Sequence, residues 1–155
     1  MGVLGWIGLG AAALVVAGAL AVRIVPMDPA EWHADPSSGP RSGQPNDFLV
    51  GPGGDLPVQI LDAPVAAVME AVDAVAAEQP RTFRLAGDPS DGHVTYVQRS
   101  RVMGFPDAVS VKADATDGGT ALTIWSRSRY GRSDLGMNAA RVSDWLGRIR
   151  AALDG

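Results

Sequence analysis

Apolar and polar positions change their period several times along the chain, and those changes divide it. Gly2 to Val22 is a run of 21 residues without a charge. As a helix rising ~1.5 Å per residue, such a run spans roughly 31 Å, about one hydrocarbon core. Leu4, Ile7, Leu9, Leu14, Val15, Val16, Leu20 and Val22 supply the apolar area, Trp6 suits an interface, and Arg23 ends the run. Backbone groups in lipid must pair within their own segment, so the run predicts a transmembrane helix over residues 2–23. The competing reading is a cleaved leader with a small-x-small site at Ala19-Leu20-Ala21. The length of the run and the lack of Lys or Arg before it favour an uncleaved anchor.

From residue 24 to 57 no period survives. Seven prolines, five glycines and three serines predict extended or irregular linker. Asn46-Asp47-Phe48-Leu49-Val50 alone has enough apolar content to be pinned onto a domain. Asp28, Glu31, His33 and Asp35 lie within the linker as a loose set of potential metal ligands. Pro29 and Pro36 break any helix that would align them, so solvated linker residues are expected and no metal site is assigned.

The folded domain is expected over residues 58–155. Val58 to Leu61 reads as a strand, and Asp62 or Ala63 is placed to cap a helix that carries Pro64 in its first turn. Val65, Val68, Met69, Val72, Val75 and Ala76 recur at intervals of three and four, one buried stripe. Thr82–Ala86, Val94–Val102, Val109–Ala115 and Thr120–Arg129 read as strands, with a hairpin turn at Asp117-Gly118-Gly119. In the last strand Ala121, Thr123, Trp125, Arg127 and Arg129 share one face, while Leu122, Ile124, Ser126 and Ser128 share the other. Val142, Trp145, Leu146, Ile149 and Leu153 mark the buried stripe of a final helix, with Asp144 and Arg148 an i,i+4 pair beside it. The order predicts an α+β fold: an antiparallel sheet of about four to five strands with two helices on one face.

Composition narrows the chemistry. The net charge of −4 argues against nucleic acid as a partner. The absence of cysteine removes disulfides, thiolate catalysis, Cys-ligated zinc and a lipid-anchor cysteine together. Gly51-Pro52-Gly53-Gly54 lacks the Lys and the following helix of a phosphate loop, and no Ser-His-Asp set has a plausible elbow. His93, standing directly after a turn, reads as an exposed strand end. No catalytic residue and no cofactor is assigned.

The densest chemistry lies between the last strand and the last helix. Arg127 and Arg129 are two apart on a strand and project together, and Arg132 follows across a tight turn at Gly131. Three guanidiniums held close repel unless an anion sits among them. Asp134 and Asp107 are the internal candidates, and an external carboxylate or phosphate is the other solution. Ser133 or Asp134 is placed to cap the final helix, or Asn138 if Gly136 delays its start. Arg127, Arg129, Arg132, Asp134, Asn138 and Arg141 are therefore the candidate binding residues, either as an internal salt-bridge and capping network or as an anion site.

The run Trp125-Ser126-Arg127-Ser128-Arg129-Tyr130-Gly131-Arg132-Ser133-Asp134-Leu135-Gly136-Met137-Asn138, with Arg141 one turn on, resembles the signature of domain-of-unknown-function family 1499. Members read close to RSxSRxGxSDxGxNxxR. Phe105-Pro106-Asp107 is similar to that family's FPD element, and Asn46-Asp47 to its opening segment. Met137 stands where many members carry Val or Ala, a change expected to alter packing only. The resemblance implies no activity and assigns no catalytic residue. It does imply attachment to a membrane or export, since relatives occur in the thylakoid lumen of plants.

The expected protein is thus a single-pass, membrane-anchored module that binds rather than transforms. Its partners are the lipid bilayer and a membrane protein complex or envelope assembly on which it docks. The alternative is an anionic small molecule or lipid headgroup bound at the Arg127–Arg132 corner. Charges flanking the span favour a cytoplasmic domain weakly, whereas the resemblance favours the periplasmic side of a bacterial inner membrane.

Overall fold

The computed structural model describes residues 2–39, 41 and 43–155. The uncharged run forms one helix, α1 (Val3–Ile24), which continues past Arg23 by one residue. Over Trp6–Ile24 its mean hydropathy is 2.1, long and apolar enough to cross a membrane. Its large apolar side chains, including Trp6, Leu14 and Val15, stand exposed.

The domain is a six-stranded antiparallel sheet in the order β1-β6-β5-β4-β3, with β2 also on β6. Its strands are β1 (Asp47–Val50), β2 (Gln59–Leu61), β3 (Thr82–Asp88), β4 (His93–Arg99), β5 (Pro106–Thr116) and β6 (Gly119–Ser128). β1 pairs with Ile124–Arg127 and β2 with Thr120–Leu122, so the two short strands lie end to end along one edge of β6. Two helices, α3 (Val65–Glu78) and α4 (Met137–Leu153), cover one face, as the periodicity predicts. Val68, Met69, Val72 and Val75 of α3 and Val142, Trp145, Leu146 and Ile149 of α4 pack there on Val94, Tyr96, Val109, Val111, Leu122 and Ile124. Strand alternation decides this partition, because every second residue of β4, β5 and β6 points at the helices.

Several boundaries move: β3 runs on to Asp88, β5 already starts at Pro106 and β6 stops at Ser128, short of Arg129. The helix after β2 begins at Val65 behind Pro64, without a side-chain cap, so neither Asp62 nor Ala63 caps it. β4 ends at Arg99, three residues short of the expected Val102. There Phe105 N–H donates to Ser100 Oγ at 3.0 Å and Gly104 N–H to Ser100 O at 3.2 Å, closing a tight turn.

The segment expected as solvated linker is instead laid across the second face of the sheet. Met27 is buried against Val97 and Ala108, with Trp32 and Leu85 beside them. A single turn, α2 (Pro29–Trp32), is capped by Asp28 Oδ1, which accepts the Ala30 N–H at 2.9 Å. His33 Nδ1 shares a 2.8 Å hydrogen bond with Thr95 Oγ1, and Asp35 receives Lys112 Nζ at 2.6 Å. Proline and glycine removed the helix and strand periods, but single anchoring residues between them still found partners. The sheet also begins at Asp47, ahead of the expected boundary at residue 58.

Candidate binding site at the last strand and helix

β6 distributes its signature residues to opposite faces. Ser126 and Ser128 point toward α4, whereas Trp125 and Arg127 point toward the strap formed by residues 26–39. The signature is therefore two sites back to back.

On the α4 side lies a closed polar network. Arg141 Nη2 donates to Asp107 Oδ2 at 2.7 Å, with the two side chains 8% and 9% exposed. Arg141 Nη1 donates to Ser126 Oγ at 2.8 Å and Asn138 Oδ1 at 2.6 Å, and Nε donates to Gln98 Oε1. Asn138 is fully buried, accepts from Ser126 Oγ at 2.7 Å, and donates to Asn46 O and Ser128 Oγ. Such a buried guanidinium is tolerated because its donors find acceptors, and one acceptor carries the opposite charge. The network joins β1's approach, β4, β5, β6 and α4 at one point.

α4 starts at Met137 after Gly136, which adopts φ 81°. Asp134 supplies the cap from just upstream: Oδ2 accepts the Asn138 N–H at 2.7 Å and Oδ1 the Gly136 N–H at 3.0 Å. Ser133 Oγ accepts only from Leu135 N–H, and Asn138 is spent on the network rather than on the cap.

On the strap side, Arg127 lies between two indoles, with its Cζ 4.0 Å from the Trp125 ring centroid and 5.2 Å from that of Trp32. Its Nη2 donates to Trp32 O at 2.8 Å, while its buried Nε has no partner. Burial pulls the guanidinium down to about 10, against the opposing influence of Asp47 and Glu31, so it stays charged at neutral pH. Trp125 Nε1 donates to Asp47 Oδ2 at 3.0 Å. Arg129 Nη1 donates to Pro26 O at 2.6 Å and lies near Tyr130. Trp32, Asn46, Trp125, Arg127 and Arg129 line a cleft of ≈ 290 Å³.

The expected trio does not converge. Arg127 and Arg129 face the strap and hydrogen-bond to backbone carbonyls, and Arg132 is exposed on the turn. Among the described residues none of the three is within ion-pair distance of a carboxylate. Asp107 is taken by Arg141 and Asp134 by backbone N–H groups, so neither neutralises the trio. Asp134, Asn138 and Arg141 do come together, on the other side of the strand.

Gln98, Ser126 and Asn46 were missed as site residues. Gln98 had a signal, since it shares a strand face with Tyr96 and so points toward the helices. The strap's contacts had none beyond an isolated Trp and His in a Pro-rich stretch. His93 is not a free strand end: it stacks on His33 with centroids 4.0 Å apart, and its Nε2–H donates to Ala34 O at 3.3 Å. Burial first, and the facing His93 second, hold His33 below the ordinary imidazole value. Asp28, Glu31, His33 and Asp35 engage separate partners, and no three metal-ligating side chains gather among the described residues.

No curated protein matches the sequence. Among solved structures, protein MLL2253 from Mesorhizobium loti is similar at 10% identity and TM-score 0.48, over 70% of this chain and 96% of that one. Protein CV1439 from Chromobacterium violaceum is similar at 14% identity and TM-score 0.46, over 72% of this chain and 99% of that one. The model of the family described as "Protein of unknown function (DUF1499)" matches residues 44–149, from the strand-opening Asn46 through the Arg141 network to the end of the α4 stripe. This chain belongs to the DUF1499 family.

Proposed function

We propose that the protein is a single-pass membrane-anchored, non-enzymatic module that holds its α+β domain close to the bilayer and docks on a membrane protein complex or envelope assembly. The carrying observation is the absence of a free tether. Arg99 donates from Nη2 to Val25 O at 3.0 Å and from Nη1 to Val22 O at 3.4 Å, so the last turn of α1 is fastened to β4. Arg23 Nη2 donates back to Val102 O at 2.5 Å. These contacts lie after Ala19-Leu20-Ala21 and survive cleavage there, so retention of the span rests on the length of its uncharged run. Anchoring raises the local concentration of the domain over any complex in the same membrane. The resemblance to exported and anchored relatives favours the periplasmic side.

The buried polar groups of the signature support binding over catalysis. Arg141, Asp107 and Asn138 use their hydrogen-bonding capacity on one another, and arginines make poor general acids or bases near neutral pH. The test is alkaline extraction of membranes containing the tagged full chain, followed by native electrophoresis in mild detergent. Retention in the pellet and migration in an assembly heavier than the lone chain are expected. Release into the supernatant would count against the anchor, and a lone monomer against docking.

A second reading draws on the cleft beside Arg127 and Arg129, whose charges meet carbonyl oxygens, the Ser110 hydroxyl and aromatic faces. A carboxylate or phosphate entering there would find two cations without an acid partner. Salt-sensitive binding of an inorganic phosphate probe, lost in Arg129→Gln, is expected on this reading.

A further inference from the structure

Of the seven large apolar side chains exposed outside α1 among the described residues, Leu56, Ile60 and Phe83 stand apart and four gather at one end of the sheet. Val102 is 71% exposed and Met103 42% in the β4–β5 turn, while Leu135 is 93% and Met137 59% at the start of α4. The two tips are neighbours: Ser100 and Met137 line both the depression containing Arg81 and Arg101 and the one containing Tyr130 and Leu135. Single exposed apolar residues need no explanation, but a cluster of four on one edge does. Leu135 is also held at φ 54°, a left-handed conformation that costs a side-chain-bearing residue about 1–2 kcal/mol. Glycine or asparagine would relieve that strain, so the chain keeps an apolar side chain in water at a cost.

This end is also where α1 leaves the domain. Arg23 reaches the Val102 carbonyl, and a Cβ on Gly104 (φ 71°) would lie 2.6 Å from Arg23 Cγ. The β4–β5 turn is thereby locked beside the last turn of α1, which fixes its height relative to the end of the apolar run. The charge around it is reversed from that of the chain, whose net is −4. Among the described residues Arg23, Arg81, Arg99 and Arg101 have no carboxylate within ion-pair distance, and the Arg101 guanidinium makes no hydrogen bond. The acids lining the two depressions are already committed, Asp144 to Arg148 at 2.9 Å, Asp107 to Arg141 and Asp134 to backbone N–H groups.

We propose that this end of the sheet is seated on the bilayer surface, where Val102, Met103, Leu135 and Met137 enter the headgroup layer and Arg81 and Arg101 pair with anionic lipid headgroups. The proposal rests on the reading of α1 as a span. Apolar tips with a basic rim are what an interfacial surface needs, because the tips gain burial and each Arg gains from the negative surface potential. The occupant is a lipid surface because the patch is contiguous with the point where the chain leaves the apolar helix.

The chain has no cysteine, so single labels are clean. Full-length protein bearing bimane at Val102→Cys, Leu135→Cys or Asp117→Cys is reconstituted in vesicles of two parts phosphatidylcholine to one of phosphatidylglycerol. Lipids spin-labelled on either headgroup class serve as quenchers. Labels at 102 and 135 are expected to be quenched, and the label at 117, on the opposite hairpin, to stay unquenched. Phosphatidylglycerol quenchers are expected to act more strongly, and Arg101→Gln to cut that preference by about fivefold. The Arg101 side chain is exposed and makes no hydrogen bond or ion pair among the described residues, so the variant is expected to leave the fold intact. Vesicles that float with the protein but leave 102 and 135 unquenched would overturn this proposal and spare the anchor. Protein that fails to float with the vesicles would overturn both. Quenching indifferent to lipid charge, or to Arg101→Gln, would overturn the headgroup pairing.

Discussion

Arg141 and Asp107 meet at 2.7 Å in a space almost closed to water, a polar tie between α4 and β5 beside their apolar packing. Asn138 and Gln98 complete the guanidinium's shell, so the pair is satisfied as well as neutralised. Removing one partner leaves the other as an uncompensated buried charge.

Arg141→Ala is therefore expected to cost about 3–5 kcal/mol, measured by denaturant unfolding of the full chain in detergent. The double replacement Asp107→Leu with Arg141→Met is expected to cost much less than the sum of the single ones, because it removes both charges together. Additive losses in the double-mutant cycle would show that the two side chains act independently.

Asp134 holds the start of α4 through two backbone N–H groups. Asp134→Ala is expected to lower stability by about 1 kcal/mol, and Asp134→Asn to retain most of the capping. Equal losses in the two variants would assign the effect to the charge at the helix N-terminus instead.

Arg127 combines cation–π contacts with Trp32 and Trp125 with a hydrogen bond to the strap. Lysine keeps the charge but loses the flat face and the fork, so Arg127→Lys is expected to cost about 1–2 kcal/mol. The shift should appear as strap loosening, with faster amide exchange over residues 27–39 and redder tryptophan emission. An unchanged spectrum in a folded variant would refute the contribution of those contacts.

The strap is expected to loosen in acid. His33 lies below its ordinary value of 6.5, so the unfolded chain takes up this proton at a higher pH than the folded one. Its contribution is complete above pH 6.5 and falls as pH drops through that value toward the folded one. Asp35 behaves differently. Burial pushes its carboxyl up, but hydrogen bonds from Lys112 and Ser37 outweigh this and bring it to about 2. Its contribution is complete above 3.8 and is lost only as pH falls toward 2. Between pH 7 and 5 amide protection over residues 27–39 is thus expected to drop, and His33→Gln to flatten the response. Protection that stays constant from pH 7 to 5 in the wild-type chain would dispose of the idea.

The helices and the central strands were legible because their periods are clean: Val68, Met69, Val72 and Val75 could only form one stripe, and Leu122 and Ile124 only one strand face. The family was legible for a different reason, since the arginine run is a dense string of unusual residues. What escaped was pairing across distance. Arg127 in β6 and Arg129 one residue past its end both reach the strap, but sequence spacing says nothing of what covers that side. Trp32 and Met27, which do so, sit among prolines that erase any period. Asp107 looked equally available to every nearby arginine, and only the strand register, which sets it opposite Ser128 and level with α4, gave it to Arg141.

The contacts of Arg99 with Val22 and Val25, together with Met27 lying on the sheet, leave no slack between helix and domain. A turn of α1 about its own axis must carry the sheet round with it. The facing of the sheet and the rotation of α1 are thus set together at this junction, as one rigid choice.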